Sequence, residues 1–392
     1  MNSEKWINDR LASLREKHQH RTLVTAVAAG GKFREGNRDI LNFSSNDYLN
    51  LLGRDELKIA AIEAIKRCGS GSGASRLVNG SLPIHEELES AIARHKGYPA
   101  ALFFGSGFMT NAGVVSSLVG RGDFVIADRL IHASLIDAIK LSGAKLVRFQ
   151  HNDMSDMANC LKKINRGKGR ILAVTESVFS MDGDLAPLED FTAIATRANA
   201  MIMVDEAHAT GVFGKYGEGL VAKHGLQSKI HITMSTMSKA LGGYGGSVAC
   251  SNIMKEWLIN NARSFIYTTA PPPAQCGAAL AALRLLRDEP GLGKEVLHRA
   301  NFFRACLKKQ GYPESGSNSQ IIPVIIGSNE AALRISCRLR EQGVLVCAIR
   351  PPTVPIGTAR LRFSITLAHN AQDLEQAAAA LFTCAKAEGL QP

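Results

Sequence analysis

The sequence predicts an α/β protein, with a large domain on one mostly parallel sheet covered on both faces and a smaller α+β domain after it. Three observations carry this. Between about residues 100 and 250, short apolar runs alternate with helical stretches, the pattern of buried parallel strands joined by crossover helices. From about Gly291 the alternation gives way to a mixture of strands and helices. The polar, glycine-rich segments follow the apolar runs, and ligands of α/β folds bind beyond the carboxyl ends of such strands. The boundaries expected are 1–50 for an N-terminal arm with a segment of the small domain, 51–288 for the large domain and 289–392 for the small one.

With 392 residues, 45% hydrophobic and 21% charged, the chain has ample material for a core. Its first residues, MNSEKWINDRLASLREKHQHR, are charged throughout and lack the apolar centre of a signal peptide. No run is long enough to span a bilayer. The eight cysteines (Cys68, Cys160, Cys250, Cys276, Cys306, Cys337, Cys347, Cys384) are scattered without a CxxC pair. Reduced thiols in a cytoplasm are therefore expected, and neither a zinc site nor a disulfide framework. A net charge of +11 favours an anionic partner, but the basic residues are dispersed, aromatics are only 6% and no nucleic-acid motif appears. A small polyanion, such as a CoA thioester beside a phosphorylated cofactor, accounts for the charge at least as well.

In chain order, Glu4–His20 reads as an amphipathic helix with Trp6, Ile7, Leu11 and Leu14 near one face, suited to packing as an arm. Asp39–Leu52 starts as a strand and ends in a polar turn, where Asn46, Asp47 and Tyr48 serve at least as turn formers. Glu56–Arg67 is helical. The loop Cys68–Gly80 contains G-x-G but no third glycine and no preceding strand, which excludes a dinucleotide fingerprint and with it a dehydrogenase. Pro83–His95 is a helix with proline in its first turn. Ala101–Phe104 is a strand that turns through Gly105, Ser106, Gly107 and Phe108 into a helix from about Met109, and amides at such a helix start form a phosphate site.

Phe124–Asp128 is the next strand, and the chain enters a helix near His132, which is placed either to stack on a planar ligand or to cap the helix. Lys145–Phe149 and Ile171–Thr175 continue the alternation, the second running into ESVFSMDGDLAPL with Glu176 and Ser180 at the strand's end. Met201–Val204 is a buried strand ending in Asp205, Glu206 and His208. Ile232–Met234 and Ser247–Cys250 flank TMSTMSKALGGYGGS, where Lys239 sits among Ser235, Thr236 and Ser238 and is followed by glycines that let backbone approach a ligand. A lysine there can act as a Schiff-base nucleophile, and an Asp at one strand end with this Lys later in the chain makes a far more specific pair than either alone. Pro271–Arg287 is a helix. Ile321–Ile326, Val344–Ile349 and Leu361–Ile365 are strands, and Glu330–Gln342 and Ala371–Lys386 are helices. Alternation along the last strand puts Arg360 and Arg362 on one face, where an arginine can hold a carboxylate by a bidentate fork.

NFSSNDYL, the SGF turn, RLIHASL, TESVFSMDGDLAPL, VDEAHATGVFG, the Lys239 stretch and PPTVPIGTARLR occur in that order. Together they resemble the α-oxoamine synthases over nearly the full length. That family comprises pyridoxal-phosphate (PLP) enzymes that join an amino acid to an acyl-CoA with loss of CO2. The resemblance implies fold type I of the PLP-dependent transferases and a homodimer with shared active sites. Within the family, AIRPPTVPIGTARLR, HNDM and IYTTAPPPAQ look most like the biotin-pathway branch, which takes L-alanine and pimeloyl-CoA or a pimeloyl-carrier protein. A sister branch using glycine and acetyl-CoA, or serine and a long acyl-CoA, is the nearest alternative. A silent basic scaffold would have lost Lys239 or Asp205, and both are present. The chain departs from the family in having Asn50 where glycine is usual, and in its GSGASRLVNG loop.

The resemblance also implies roles. Lys239 would hold PLP as a Schiff base and act as general base, Asp205 would pair with the ring nitrogen, and His132 would stack on the ring and reach the substrate. His208 and Ser180 would serve the ring oxygen, and Gly107, Phe108 and Thr236 the phosphate. Arg362 and Asn46 would hold the amino acid's carboxylate, and Arg21 and Thr353 would serve the acyl-CoA side. Thr268 or Thr269 would reach the phosphate of the other subunit.

Overall fold

The apolar runs of residues 100–250 assemble into one seven-stranded sheet in the computed structural model, which describes residues 3–23, 27–29, 31–36, 38–164, 167 and 169–390. Its strands lie in the order Ala100–Phe104, Gly246–Cys250, Ile232–Thr236, Met201–Asp205, Ile171–Glu176, Phe124–Asp128, Lys145–Phe149. Gly246–Cys250 runs antiparallel to both neighbours, and every other pairing is parallel. Ala100–Phe104, Ile171–Glu176, Ile232–Thr236 and Gly246–Cys250 are buried at every position, which is why they read as continuous apolar or small-residue runs.

The described chain divides into two compact units, residues 47–180 with 184–295, and residues 1–46 with 181–183 and 296–392. Along the chain the units change at 46/47, 180/181, 183/184 and 295/296, the last inside the helix Leu292–Lys309. The predicted helix from Met109 begins two positions earlier, at Gly107, because Ser106 is extended and its side chain accepts from Met109 N. Asn50 has φ +54°, a left-handed conformation that asparagine tolerates better than most side chains, so its departure from the expected glycine carries a small cost.

Two polar clusters brace the larger unit. Lys96, in the last turn of Pro83–Lys96, is buried and donates to Glu206 Oε2 at 2.9 Å, Thr210 Oγ1 at 2.7 Å and the Glu218 carbonyl at 2.6 Å. His151 bridges Asp128 (Nδ1 to Oδ1, 3.0 Å) and Asp184 (Nε2 to Oδ2, 2.8 Å). Burial disfavours the charged imidazole, but hydrogen bonds to the two carboxylates outweigh it and raise the pKa to about 10. The folded value lies above the unfolded value of about 6.5, so this stabilisation is complete below about pH 6.5 and is lost as pH rises to about 10. His151→Gln is therefore expected to destabilise the protein by on the order of 2 kcal/mol near neutral pH. In thermal melts the gap between wild type and variant should narrow between pH 7 and 10. A gap independent of pH would refute the charged clamp.

The smaller unit holds two sheets. Val27–Ala29, Lys32–Glu35 and Arg38–Asn42 form an antiparallel set, with Val344–Leu345 added parallel to the last. Ile321–Gly327, Ala359–Ser364 and Cys347–Ile349 form an antiparallel three-stranded sheet. The single strand predicted over Val344–Ile349 is thus split between two sheets at buried Val346, whose carbonyl is taken by Ser336 Oγ at 2.6 Å. The core includes Phe43, Phe303 and Phe363, and Phe43 also stacks on His369 at 4.1 Å between centroids. The N-terminal helix spans Lys5–Glu16, shorter than predicted, and buries no residue within the chain. No helix among the described residues is long and apolar enough to cross a membrane.

Candidate active site

The carboxyl ends of the larger unit's strands surround a cavity of about 230 Å³ lined by Gly107, Phe108, His132, Asp205, His208, Thr236 and Lys239 among others. Its floor comes from the helix Gly107–Leu118. Ser106 occupies the first satisfied donors, with Met109 N on its side chain and Thr110 N on its carbonyl, so the amides of Gly107 and Phe108 remain for an anion. Gly246 makes this possible. A Cβ there would lie 2.8 Å from Gly107 N. Across the cavity, Thr236 Oγ1 donates to the Gly245 carbonyl at 2.9 Å and lies 2.6 Å from Ser238 Oγ.

Asp205 ends the strand Met201–Asp205 and is 4% exposed. Both of its oxygens accept, Oδ1 from Ala207 N at 2.9 Å and Oδ2 from Asn111 Nδ2 at 3.0 Å. His208, three residues on, is buried with Nδ1 2.7 Å from the Tyr48 hydroxyl. His132 is the N-cap of Ala133–Ser142, one of the two roles the sequence offered, and it also lines the cavity. Burial, with Lys239 nearby, lowers its pKa against the opposing pull of Asp205.

Glu176 pairs with Asp205 in the sheet register and also lines the cavity. Burial first and the Asp205 carboxylate second push its pKa well above the usual range, while backbone N–H groups of His132 and Ser180 oppose the shift. Ser180 is buried beside this carboxyl but is not among the residues lining the cavity. A half-buried amine, a buried carboxylate, two available helix-start amides and clustered hydroxyls meet the needs of PLP, and the glycine cradle at Gly246 keeps backbone close to the anion end.

The residues expected on the substrate side belong to the smaller unit and pair within it. Arg21 Nη2 donates to Thr353 Oγ1 at 3.3 Å. Arg362, 6% exposed, reaches Asn46 Oδ1 at 3.3 Å and Ser364 Oγ at 2.8 Å. Arg360, also buried, is instead ion-paired with Asp182, so the two arginines of one strand face have different partners. Thr268 is half-buried and Thr269 exposed. Sequence reasoning missed Asn111, Ser134 and the Tyr48 contact to His208. No spacing marks Asn111 or Ser134, since each lies inside an ordinary helical stretch.

The model of the family "Aminotransferase class I and II" matches residues 38–381, and the chain belongs to that family of PLP-dependent enzymes. Among similar proteins, 8-amino-7-oxononanoate synthase of Geobacter sulfurreducens is 46% identical over 384 residues, covering 97% of this chain and 98% of that protein. The protein of the same name from Anaeromyxobacter dehalogenans is 44% identical, covering 96% and 94%. A solved 8-amino-7-oxononanoate synthase from Francisella tularensis superimposes with TM-score 0.78 at 33% identity, over 90% of this chain and 99% of that one. Serine palmitoyltransferase from S. paucimobilis, solved with a bound PLP–myriocin aldimine, superimposes with TM-score 0.91 at 28% identity, over 98% of each chain. Fold type I of the PLP-dependent transferases and the PLP cofactor expected from the sequence are thereby borne out.

Proposed function

We propose that this enzyme condenses L-alanine with pimeloyl-CoA, or with a pimeloyl-carrier protein, to give 8-amino-7-oxononanoate, the free thiol and CO2 in biotin biosynthesis. The observation that carries this is near-full-length identity of 46% to a synthase of that name. The presence of Lys239 and Asp205 in one cavity supports it. Bound there, PLP supplies an electron sink for the charge that develops at the amino acid's Cα. The Asp205 carboxylate holds the proton of the ring nitrogen, and the Lys239 amine removes the proton from the alanine Cα. The amides of Gly107 and Phe108 would bind the phosphate, with the Thr236 hydroxyl turned to it from the Gly245 carbonyl. His132 would pack against the cofactor and reach the substrate, while His208, in the cavity wall, and Ser180, just behind it, would serve the ring oxygen. Arg362, with Asn46, holds the alanine carboxylate by a charge-assisted fork, and Arg21 and Thr353 serve the acyl-CoA side.

The enzyme works as a cytoplasmic homodimer in which Thr268 or Thr269 reaches the partner's phosphate site. A sedimenting monomer with full turnover would overturn that assembly. The function is tested by thiol release from the PLP-loaded protein. L-Alanine with pimeloyl-CoA should release thiol and form the aminoketone, with little release from glycine and acetyl-CoA. Release mainly with the second pair would move the enzyme to the sister branch.

A further inference from the structure

Between Asp205 and His132 lie two side chains that no role so far uses. Asn111, on the Gly107 helix, and Ser134, in the first turn of the helix capped by His132, are each 1% exposed. Asn111 Nδ2 lies 3.0 Å from Asp205 Oδ2 and 2.9 Å from Ser134 Oγ. Ser134 Oγ lies 2.7 Å from His132 Nδ1, and the Ser134 backbone N–H points at the same nitrogen at 3.2 Å.

The direction of each bond follows from donor chemistry. A carboxylate only accepts, so the asparagine must turn its NH2 toward Asp205, and its second N–H then goes to Ser134. The serine oxygen, already accepting, has its own proton left to give, and His132 Nδ1 is the neighbour within reach. The backbone N–H of Ser134 cannot reverse its polarity, and it too requires an acceptor at Nδ1. Both donors therefore leave the ring proton on Nε2.

We propose that Asn111 and Ser134 are positioning residues, forming a hydrogen-bond chain whose donors all point away from Asn111, toward the Asp205 carboxylate on one side and through Ser134 toward His132 on the other, and that it holds the imidazole neutral with its proton on Nε2. The relay orients two groups of the site from one buried point. It stops His132 from accepting a proton at Nδ1 and presents a hydrogen-bond donor on the other side of the ring. Its meaning for catalysis rests on the reading of this cavity as the PLP site, whereas the bond polarity does not. The ionisable groups that line the cavity with His132 are Asp205, Glu176, His208 and Lys239, and none of them is altered by a change at Ser134.

The test uses PLP-loaded enzyme labelled with 15N-histidine, and His132 resonances are assigned by their loss in His132→Asn. Wild type should show an unprotonated Nδ1 and a protonated Nε2 at neutral pH. In Ser134→Ala the neutral ring loses a donor, so its titration midpoint should rise by about half to one pH unit, and Ser134→Thr, which keeps the hydroxyl, should restore it. Asn111→Ala should weaken PLP retention about tenfold, by removing a charge-assisted bond to Asp205. A protonated Nδ1 in wild type, or a midpoint unmoved in Ser134→Ala, would overturn the relay. So would a rise that Ser134→Thr does not reverse. The cofactor's absorbance in the same samples reports separately on PLP binding, so failure of the relay and failure of the cofactor assignment are distinguishable.

Discussion

Lys239→Ala is expected to lower turnover by about 10⁴-fold or more, the upper range for removal of a general base, and to abolish covalent capture of PLP. The lysine is half-buried in the wall of the cavity, in the turn after the strand Ile232–Thr236, and the strand it precedes begins at Gly246. Gly242, with φ +59°, and Gly245, with φ +115°, bend the chain between them, and a Cβ at Gly242 would lie 2.8 Å from Leu51 C. The loop is thus built closely around one amine. Borohydride reduction followed by peptide mass mapping should place PLP on Lys239 in wild type and leave the variant unmodified. Retained turnover, or PLP fixed to another lysine, would remove the centre of the proposed mechanism.

Lys96→Ala should cost about 3–5 kcal/mol in urea unfolding, because it strands the fully buried Glu206 carboxylate. Glu206 is neighbour to Asp205, its other oxygen accepts from Val221 N at 2.8 Å, and a Cβ at Gly219 would collide with it. The pair therefore holds the turn that carries both Asp205 and His208, and PLP affinity should fall with stability. Replacing both partners by apolar residues, as in Lys96→Met with Glu206→Leu, should recover much of the loss, since no buried charge is then left unpaired. A single variant costing less than about 1 kcal/mol would mean that water reaches Glu206, contrary to its burial.

The sequence by itself determined the strands of the large sheet, most of whose apolar runs are read directly because both faces are buried, as in Ile171–Glu176, while the edge strand Lys145–Phe149 is partly exposed. Phe124–Asp128 and Lys145–Phe149 carry the bounds that pattern predicts. It also marked Asp205, His208 and Lys239, since strand ends followed by glycine-rich turns are where an α/β fold places its chemistry. The strand order and the antiparallel run of Gly246–Cys250 were not legible, because pairing partners leave no periodic trace in one strand.

Only the tertiary structure decided which ordinary residues became part of the site. Asn111 and Ser134 are 23 positions apart, and Asn111 and Asp205 are 94 apart, so no local pattern links them. Lys96 closes a helix where a lysine is usually solvated, and its burial follows from three acceptors brought from residues 206–218. Arg360 and Arg362 alternate identically on one strand, yet one meets the Asp182 carboxylate and the other meets the Asn46 amide. Local pattern fixes which way a side chain faces; what it meets there depends on residues far along the chain, and only folding sets those distances.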